Sequence, residues 1–192
     1  MEKQKELNSH LAVVFKEILP AIHNAGFKYW VYGGIGVAGV IGKFIRKNND
    51  IDIYVLSTDF DNVRKLLIKL CSNKKDWKCE DARPIKETGR PKLEIKKGIM
   101  EICSMVPVYK TEAGIEFRVK NIEVLPLQAI VQELKKIEGY NFFSPPRDII
   151  KTIFRSFIIE RPDILNKGSR RICDITAIFT DAEIGEIQKR IK

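Results

Sequence analysis

Histidine is almost missing from this chain, with 2 in 192 residues. His10 and His23 lie among Leu7, Leu11, Val14, Ile18 and Ile22, apolar residues at helical spacing, which makes them surface positions of an N-terminal helix rather than catalysts. Pro20 is placed to kink or divide that helix. A histidine zinc site or a serine hydrolase triad therefore has little to be built from. The 4 cysteines, Cys71, Cys79, Cys103 and Cys173, are widely spaced with no Cys-x-x-Cys pair, and read as small reduced thiols. No apolar run approaches the roughly 20 residues of a membrane span. Met1-Glu2-Lys3-Gln4 begins no secretory signal, so the expectation is a soluble, cytoplasmic protein without a membrane partner. Internal repeats and low-complexity tracts are also lacking.

What is abundant is positive charge: 34 Lys plus Arg against 25 Asp plus Glu, a formal net charge of +9. Clusters fall at Lys74-Lys75, at Lys96-Lys97 and at Lys167 with Arg170-Arg171. Such a field favours nucleotides, pyrophosphate and RNA, and disfavours a polycationic ligand unless its pocket is locally acidic. No aromatic-basic RNA-recognition motif accompanies it. With 44% hydrophobic residues the chain is long enough to bury a proper core as one domain or as a domain with a helical annex.

Two short segments carry the chemistry. Ile51-Asp52-Ile53-Tyr54-Val55-Leu56 follows Asp50 and reads as a strand. Strand side chains alternate, so Asp50 and Asp52 emerge on one face while Ile51, Ile53 and Val55 face the core. Two carboxylates held this close repel unless a cation lies between them, and an oxygen-rich pair with open water positions suits Mg²⁺. Upstream, Phe27 to Tyr32 reads as a buried strand that Gly33-Gly34 ends sharply, and Ile35 to Ile41 as a short helix packed closely on a sheet. Backbone N–H groups at such a helix start can approach phosphate oxygens. Gly36 and Gly39 are expected to serve close packing. Between the segments, Arg46 is the preferred phosphate-gripping cation, with Lys43 or Lys47 as a point charge.

Elsewhere the pattern predicts an α+β fold, a mixed sheet flanked by helices. Asp59 to Leu70 reads as an amphipathic helix with Asp59 and Asp61 as caps. Strands are expected at Trp77 to Arg83, in a 92–106 hairpin turning at Lys97-Gly98, at Gly114 to Val119 and at Ile122 to Leu125, with loops at Lys86 to Arg90 and Pro107 to Ala113. Strand signals stop there. Pro126 is expected to open a helix through Leu134, a polar link to run from Lys135 to Ser144, and helices to follow from Pro145-Pro146, from Pro162 or Ser169 to Phe179, and over Asp181 to Ile191. The pattern thus divides the chain into a sheet-bearing domain at 1–125 and a C-terminal helical region at 126–192.

Gly33-Gly34, then Gly42-Lys43 and Arg46, then Asp50-Ile51-Asp52-Ile53, resemble the signature of the DNA polymerase β-like nucleotidyltransferase superfamily. The spacing and the Gly-basic-x-x-Arg insert are most similar to the small nucleotidyltransferases that modify aminoglycosides and lincosamides, and to toxin-type members of the abortive-infection group. The resemblance implies transfer of a nucleoside monophosphate from an NTP to a hydroxyl with loss of pyrophosphate, and one or two Mg²⁺ ions on three carboxylates. Glu101 has the better claim to be the third, as metal ligand or general base, with Glu94 as the fallback; many members carry Asp there. Asp50, Asp52 and Glu101 are thus the catalytic and metal candidates. Gly33, Gly34, Lys43 and Arg46 are the nucleotide-binding candidates, with Lys151, Arg170 and Asp174 as candidates for holding base, triphosphate or acceptor by resemblance only. Arg170-Arg171-Ile172-Cys173-Asp174 resembles the family's basic-x-x-Asp helix, although Lys-Asp is usual where Arg171-Ile172 falls. The acceptor implied is a small antibiotic-like molecule. A toxin-like enzyme acting on RNA or protein and a nucleotide- or RNA-binding module without turnover are the other readings. The oligomeric state is open.

Overall fold

The apolar residues that open the chain do not form one helix. In the structure, a computed structural model describing residues 6, 8–82, 89, 91–118, 122–166 and 168–191, a 3-10 turn (Ser9–Leu11), a wide π turn (Val14–Ile18) and helix α1 (Leu19–Asn24) succeed one another. Pro20, at the start of α1, lacks the N–H that a continuous helix would need, and the wide turn sits just before it. There follow β1 (Tyr29–Tyr32), α2 (Gly33–Ile41), β2 (Ile51–Leu56), α3 (Ser57–Ser72), β3 (Trp77–Asp81), β4 (Leu93–Lys97), β5 (Met100–Thr111), β6 (Gly114–Arg118) and β7 (Ile122–Leu125). A 3-10 turn (Leu127–Ile130), β8 (Glu133–Ile137), β9 (Tyr140–Ser144), α4 (Arg147–Glu160), a further 3-10 turn (Pro162–Leu165), α5 (Ile172–Ile178) and α6 (Asp181–Lys189) complete the chain.

The fold is α+β, as expected. Its seven-stranded sheet runs β1-β2-β5-β4-β3, with β6 and β7 continuing from β5. The β2–β5 pair is parallel and the others are antiparallel. Strand β2 lies between β1 and β5, and its alternation divides the core. Ile51, Ile53 and Val55 join Leu11, Ile18 and Leu67 on one face, and Tyr54 joins Trp30, Phe117 and Phe154 on the other. Full burial of each such aliphatic side chain contributes about 1.5–3 kcal/mol. Helix α3 buries Phe60, Val63, Leu67 and Cys71 at helical spacing, but no side chain caps it, so Asp59 and Asp61 are not the expected caps.

Three expectations are corrected. Pro107 begins no loop: β5 continues to Thr111, because β4 pairs only as far as Met105 and β6 only from Tyr109, leaving Pro107 with β2 alone as neighbour. A missing N–H is tolerated on such a flank. The helix expected from Pro126 is a single 3-10 turn, and the expected polar link is the β8–β9 hairpin. Its turn residues Glu138 and Gly139 both have positive φ, the geometry of a two-residue hairpin turn. This segment is fastened to β1 and β2 by side-chain bonds from Tyr54 to the Ala129 carbonyl (2.9 Å), Trp30 to that of Val131 (3.3 Å) and Ser144 to that of Val31 (2.8 Å). The loop expected at Lys86 to Arg90, Gly89 excepted, lies outside the described residues, as do Leu7 and Lys167.

Candidate active site

Strand pairing builds the site. Tyr32 stands opposite Asp52, Asp52 opposite Ser104, Ser104 opposite Glu94 and Glu94 opposite Glu80, so one row of side chains crosses five strands on a single face. Ser104 Oγ donates to Asp52 Oδ1 at 2.8 Å. Asp50 stands just before β2, and with Asp52, Gly34, Arg46, Asn48, Asn49, Arg170 and Arg171 it lines a cavity of about 40 Å³. The two acids are brought together as expected. Asp50 also lines a larger cavity of about 450 Å³, with His10, Lys47, Asn49, Met100, Glu101 and Arg170.

The glycine turn meets this pair directly. Gly33 has φ +65°, and a Cβ added there would lie 2.7 Å from Asp52 Oδ2. A Cβ on Gly34 would collide with the Arg46 guanidinium and the Asn48 side-chain carbonyl. Only glycine permits both the left-handed backbone and the close approach. Gly36 and Gly39 pack as expected: their Cβ atoms would stand 3.2 Å from the Val31 carbonyl and 2.9 Å from the Phe142 ring.

Charge at the site is crowded. Burial, and then the charge of Asp52, raises the Asp50 carboxyl above its ordinary range, opposed by Lys92 and Arg170. Burial likewise raises Asp52, against the Ser104 hydrogen bond and the charges of Arg171 and Lys92, while Glu101 adds to the rise. Glu101 is raised by burial and opposed by Lys92. Lys92 Nζ donates to Glu94 Oε1 at 2.9 Å and to Glu101 Oε1 at 3.2 Å, so both candidates for the third acid share one ammonium.

A bulge decides which way Glu101 faces. The β4–β5 register shifts between Ile95, opposite Cys103, and Lys96, opposite Glu101, so Ile102 is the extra residue. Ile102 and Cys103 are both buried, and Glu101 returns to the face that carries Ser104.

The expected cations separate into two groups. Arg170 lines both cavities. Arg46 lines the smaller one, but its fork is engaged: Nε donates to both carboxylate oxygens of Asp174 (2.9 and 3.0 Å), Nη2 to Oδ2 (2.6 Å) and Nη1 to the Lys47 carbonyl (2.8 Å). With Asp174 fully buried, Arg46 is a strut from the 42–50 loop to α5 rather than the free phosphate fork expected. Lys43 is exposed and lines neither cavity. Lys151 is elsewhere too, bonded to Glu183 at 2.5 Å with its ammonium 5.1 Å from the Phe179 ring centroid. Residues the sequence reading missed are Ser104, Lys92, Arg171 and His10, whose Nε2 lies 3.0 Å from the Asn49 carbonyl oxygen.

Known proteins resemble this chain in sequence and in fold. Residues 14–90 match the family model of aminoglycoside-2''-adenylyltransferase. Over 96% of this chain and 95% of the other, the fold superposes on the antibiotic-resistance factor ANT(2'')-Ia, solved in complex with adenylyl-2''-tobramycin, at a TM-score of 0.63 and 13% identity. The chain has the fold of the polymerase β-like nucleotidyltransferases. The lincomycin-bound lincosamide antibiotic adenylyltransferase LnuA is similar over 91% of this chain and 94% of its own, with a TM-score of 0.51 and 16% identity. A putative nucleotidyltransferase from Thermotoga maritima covers 82% and 91%, at 0.52 and 13% identity. No curated protein sequence matches this chain. Among its described residues no helix is long and apolar enough to cross a membrane.

Proposed function

We propose that this chain moves a nucleoside monophosphate from an NTP to a hydroxyl of an antibiotic-like small molecule, with Mg²⁺ bound and pyrophosphate released. The observation that carries the reading is the seating of Gly33 against Asp52, which places a bare helix start beside two crowded acids. The residues present fit a divalent ion. Asp50 and Asp52 are oxygen donors whose ionisation burial disfavours and a bound cation would favour, beside a cavity of about 40 Å³, close to the volume of a single water. Among the described residues no three acidic, imidazole or thiol groups converge as a metal cluster. An ion on Asp50 and Asp52 would complete its shell with water and phosphate oxygens. When bound it offsets negative charge at the reacting phosphate.

The backbone N–H groups at the start of α2 approach the triphosphate, and Arg170 and Arg171 supply the charge that holds it. The larger cavity, about 450 Å³, falls in the range of small-molecule sites and receives the acceptor. Glu101 borders it. Its Oε1 accepts from Lys92, which leaves Oε2 to take the hydroxyl proton as the new oxygen–phosphorus bond forms and the bond to pyrophosphate breaks. A carboxyl raised by burial is a better base near neutral pH than a solvated one.

The test is incubation with α-labelled triphosphates, Mg²⁺ and a panel of aminoglycosides, lincosamides and total RNA. Label is expected on an antibiotic. Label on RNA alone would replace this reading with the toxin-like one, and no transfer from any triphosphate would leave a binding module.

A further inference from the structure

We propose that Lys92 is a built-in cation of the active site, supplying at Glu101 the positive charge that a second divalent ion would bring, so that the site takes one ion, on Asp50 and Asp52. The inference rests on the nucleotidyltransferase reading above and goes beyond it by fixing the number of ions and the partner of the third acid. Strand register provides the first argument. The position directly beside Asp52 on β5 is Ser104 and not an acid. Its hydroxyl is neutral and donates to Asp52 Oδ1 at 2.8 Å, so it occupies a lone pair instead of adding a charged ligand. Glu94, the next acid in the row, is a further strand away, about 9–10 Å from Asp52 at ordinary strand spacing.

The second argument is the ammonium itself. Lys92 Nζ is held at two points, 2.9 Å from Glu94 Oε1 and 3.2 Å from Glu101 Oε1. Glu94 is gripped in turn by Lys96 at 3.2 Å, so the lysine sits in a bonded chain and is not a loose surface charge. The bulge at Ile102 returns Glu101 to the face of Ser104, where it lines a cavity with Asp50, and Lys92, outside that lining, bonds to its Oε1. A divalent ion on Glu101 would have to displace an ammonium already hydrogen-bonded to it, or be repelled by it at close range. The cationic requirement of the site is thereby divided. Lys92, Arg170 and Arg171 act on Asp50 and Asp52 as nearby charges and leave room for a metal ion, whereas Glu101 is hydrogen-bonded to Lys92.

Metal counting tests this without reading turnover. Protein saturated with a non-hydrolysable α,β-methylene triphosphate is equilibrated with Mn²⁺, and ions per bound nucleotide are counted by equilibrium dialysis. One ion is expected for the native protein and two for Lys92→Met, with folding of the variant checked by circular dichroism. Two ions on the native protein, or one on a folded Lys92→Met, would overturn the proposal. No ion on the native protein would overturn the nucleotidyltransferase reading with it. Should Lys92→Met not fold, Glu101→Gln decides: Mn²⁺ affinity within twofold of native supports the proposal, and a tenfold loss, as for a severed ligand, refutes it.

Discussion

Asp174 offers the sharpest test of how the C-terminal helices are tied to the acidic pair. Its carboxylate is fully buried and receives three bonds from Arg46 at 2.6–3.0 Å. Arg46 is itself only 15% exposed, and its guanidinium lies over Gly34. Asp174→Ala would leave that guanidinium buried without its counter-ion, a loss of about 3–5 kcal/mol. In a chain of this length each kcal/mol corresponds to about 2–4 °C, so the melting temperature should fall by about 6–20 °C. Replacing both partners, Arg46→Met with Asp174→Leu, removes the stranded charge and should restore most of the loss. Urea and thermal unfolding of the native protein, the single variant and the double variant, at fixed pH and without nucleotide, give the comparison. A loss below about 1 kcal/mol for Asp174→Ala is the size of a solvated surface pair and would refute the strut.

Three further outcomes follow from the same geometry. Gly33→Ala places a methyl 2.7 Å from Asp52 Oδ2 and should cut the rate of transfer by about 100-fold through displacement of that carboxylate, measured by steady-state kinetics; native turnover would remove the glycine turn from the site. Arg170→Ala should weaken triphosphate binding by about 1.5–3 kcal/mol in calorimetry, while Lys43→Ala, at an exposed position lining neither cavity, should leave it unchanged. Because burial raises the carboxyls of Asp50 and Asp52, both are protonated in the folded protein at pH values where solvated acids are already charged. Protonation favours the metal-free fold, which should lose stability as pH rises through these raised values, whereas Mg²⁺ affinity should grow over the same interval. Calorimetric Mg²⁺ titrations across that range check the sign, and a flat affinity would contradict it.

Much of the chemistry could be read from the chain because it is local. Alternation fixes the faces of β2, so Ile51, Ile53 and Val55 reach the core and Asp52 the opposite side, and glycine at 33 marks a turn that no other residue fits. What escaped depends on register. Ser104 lies 52 residues from Asp52 and becomes its neighbour only through β2–β5 pairing. Lys92 looked like one cation among 34, and only the bulge at Ile102 brings Glu101 round to it. Arg46 is bonded to Asp174, 128 residues distant, a pairing that no local pattern displays. The β8–β9 hairpin was hidden because Glu138-Gly139 is a weaker turn signal than Asn-Gly or Asp-Gly, and because Pro126 is as compatible with a 3-10 turn as with a long helix.

The central claim is that Asp50 and Asp52 together hold a divalent ion that the triphosphate joins. Triphosphate binding, measured by calorimetry with and without Mg²⁺ on the native protein and on Asp52→Asn, tests it most directly, because asparagine retains the shape and can still accept from Ser104. Tight binding that requires Mg²⁺ is the expected native result, lost in Asp52→Asn without loss of fold. Undiminished Mg²⁺-dependent binding in that variant would contradict the account.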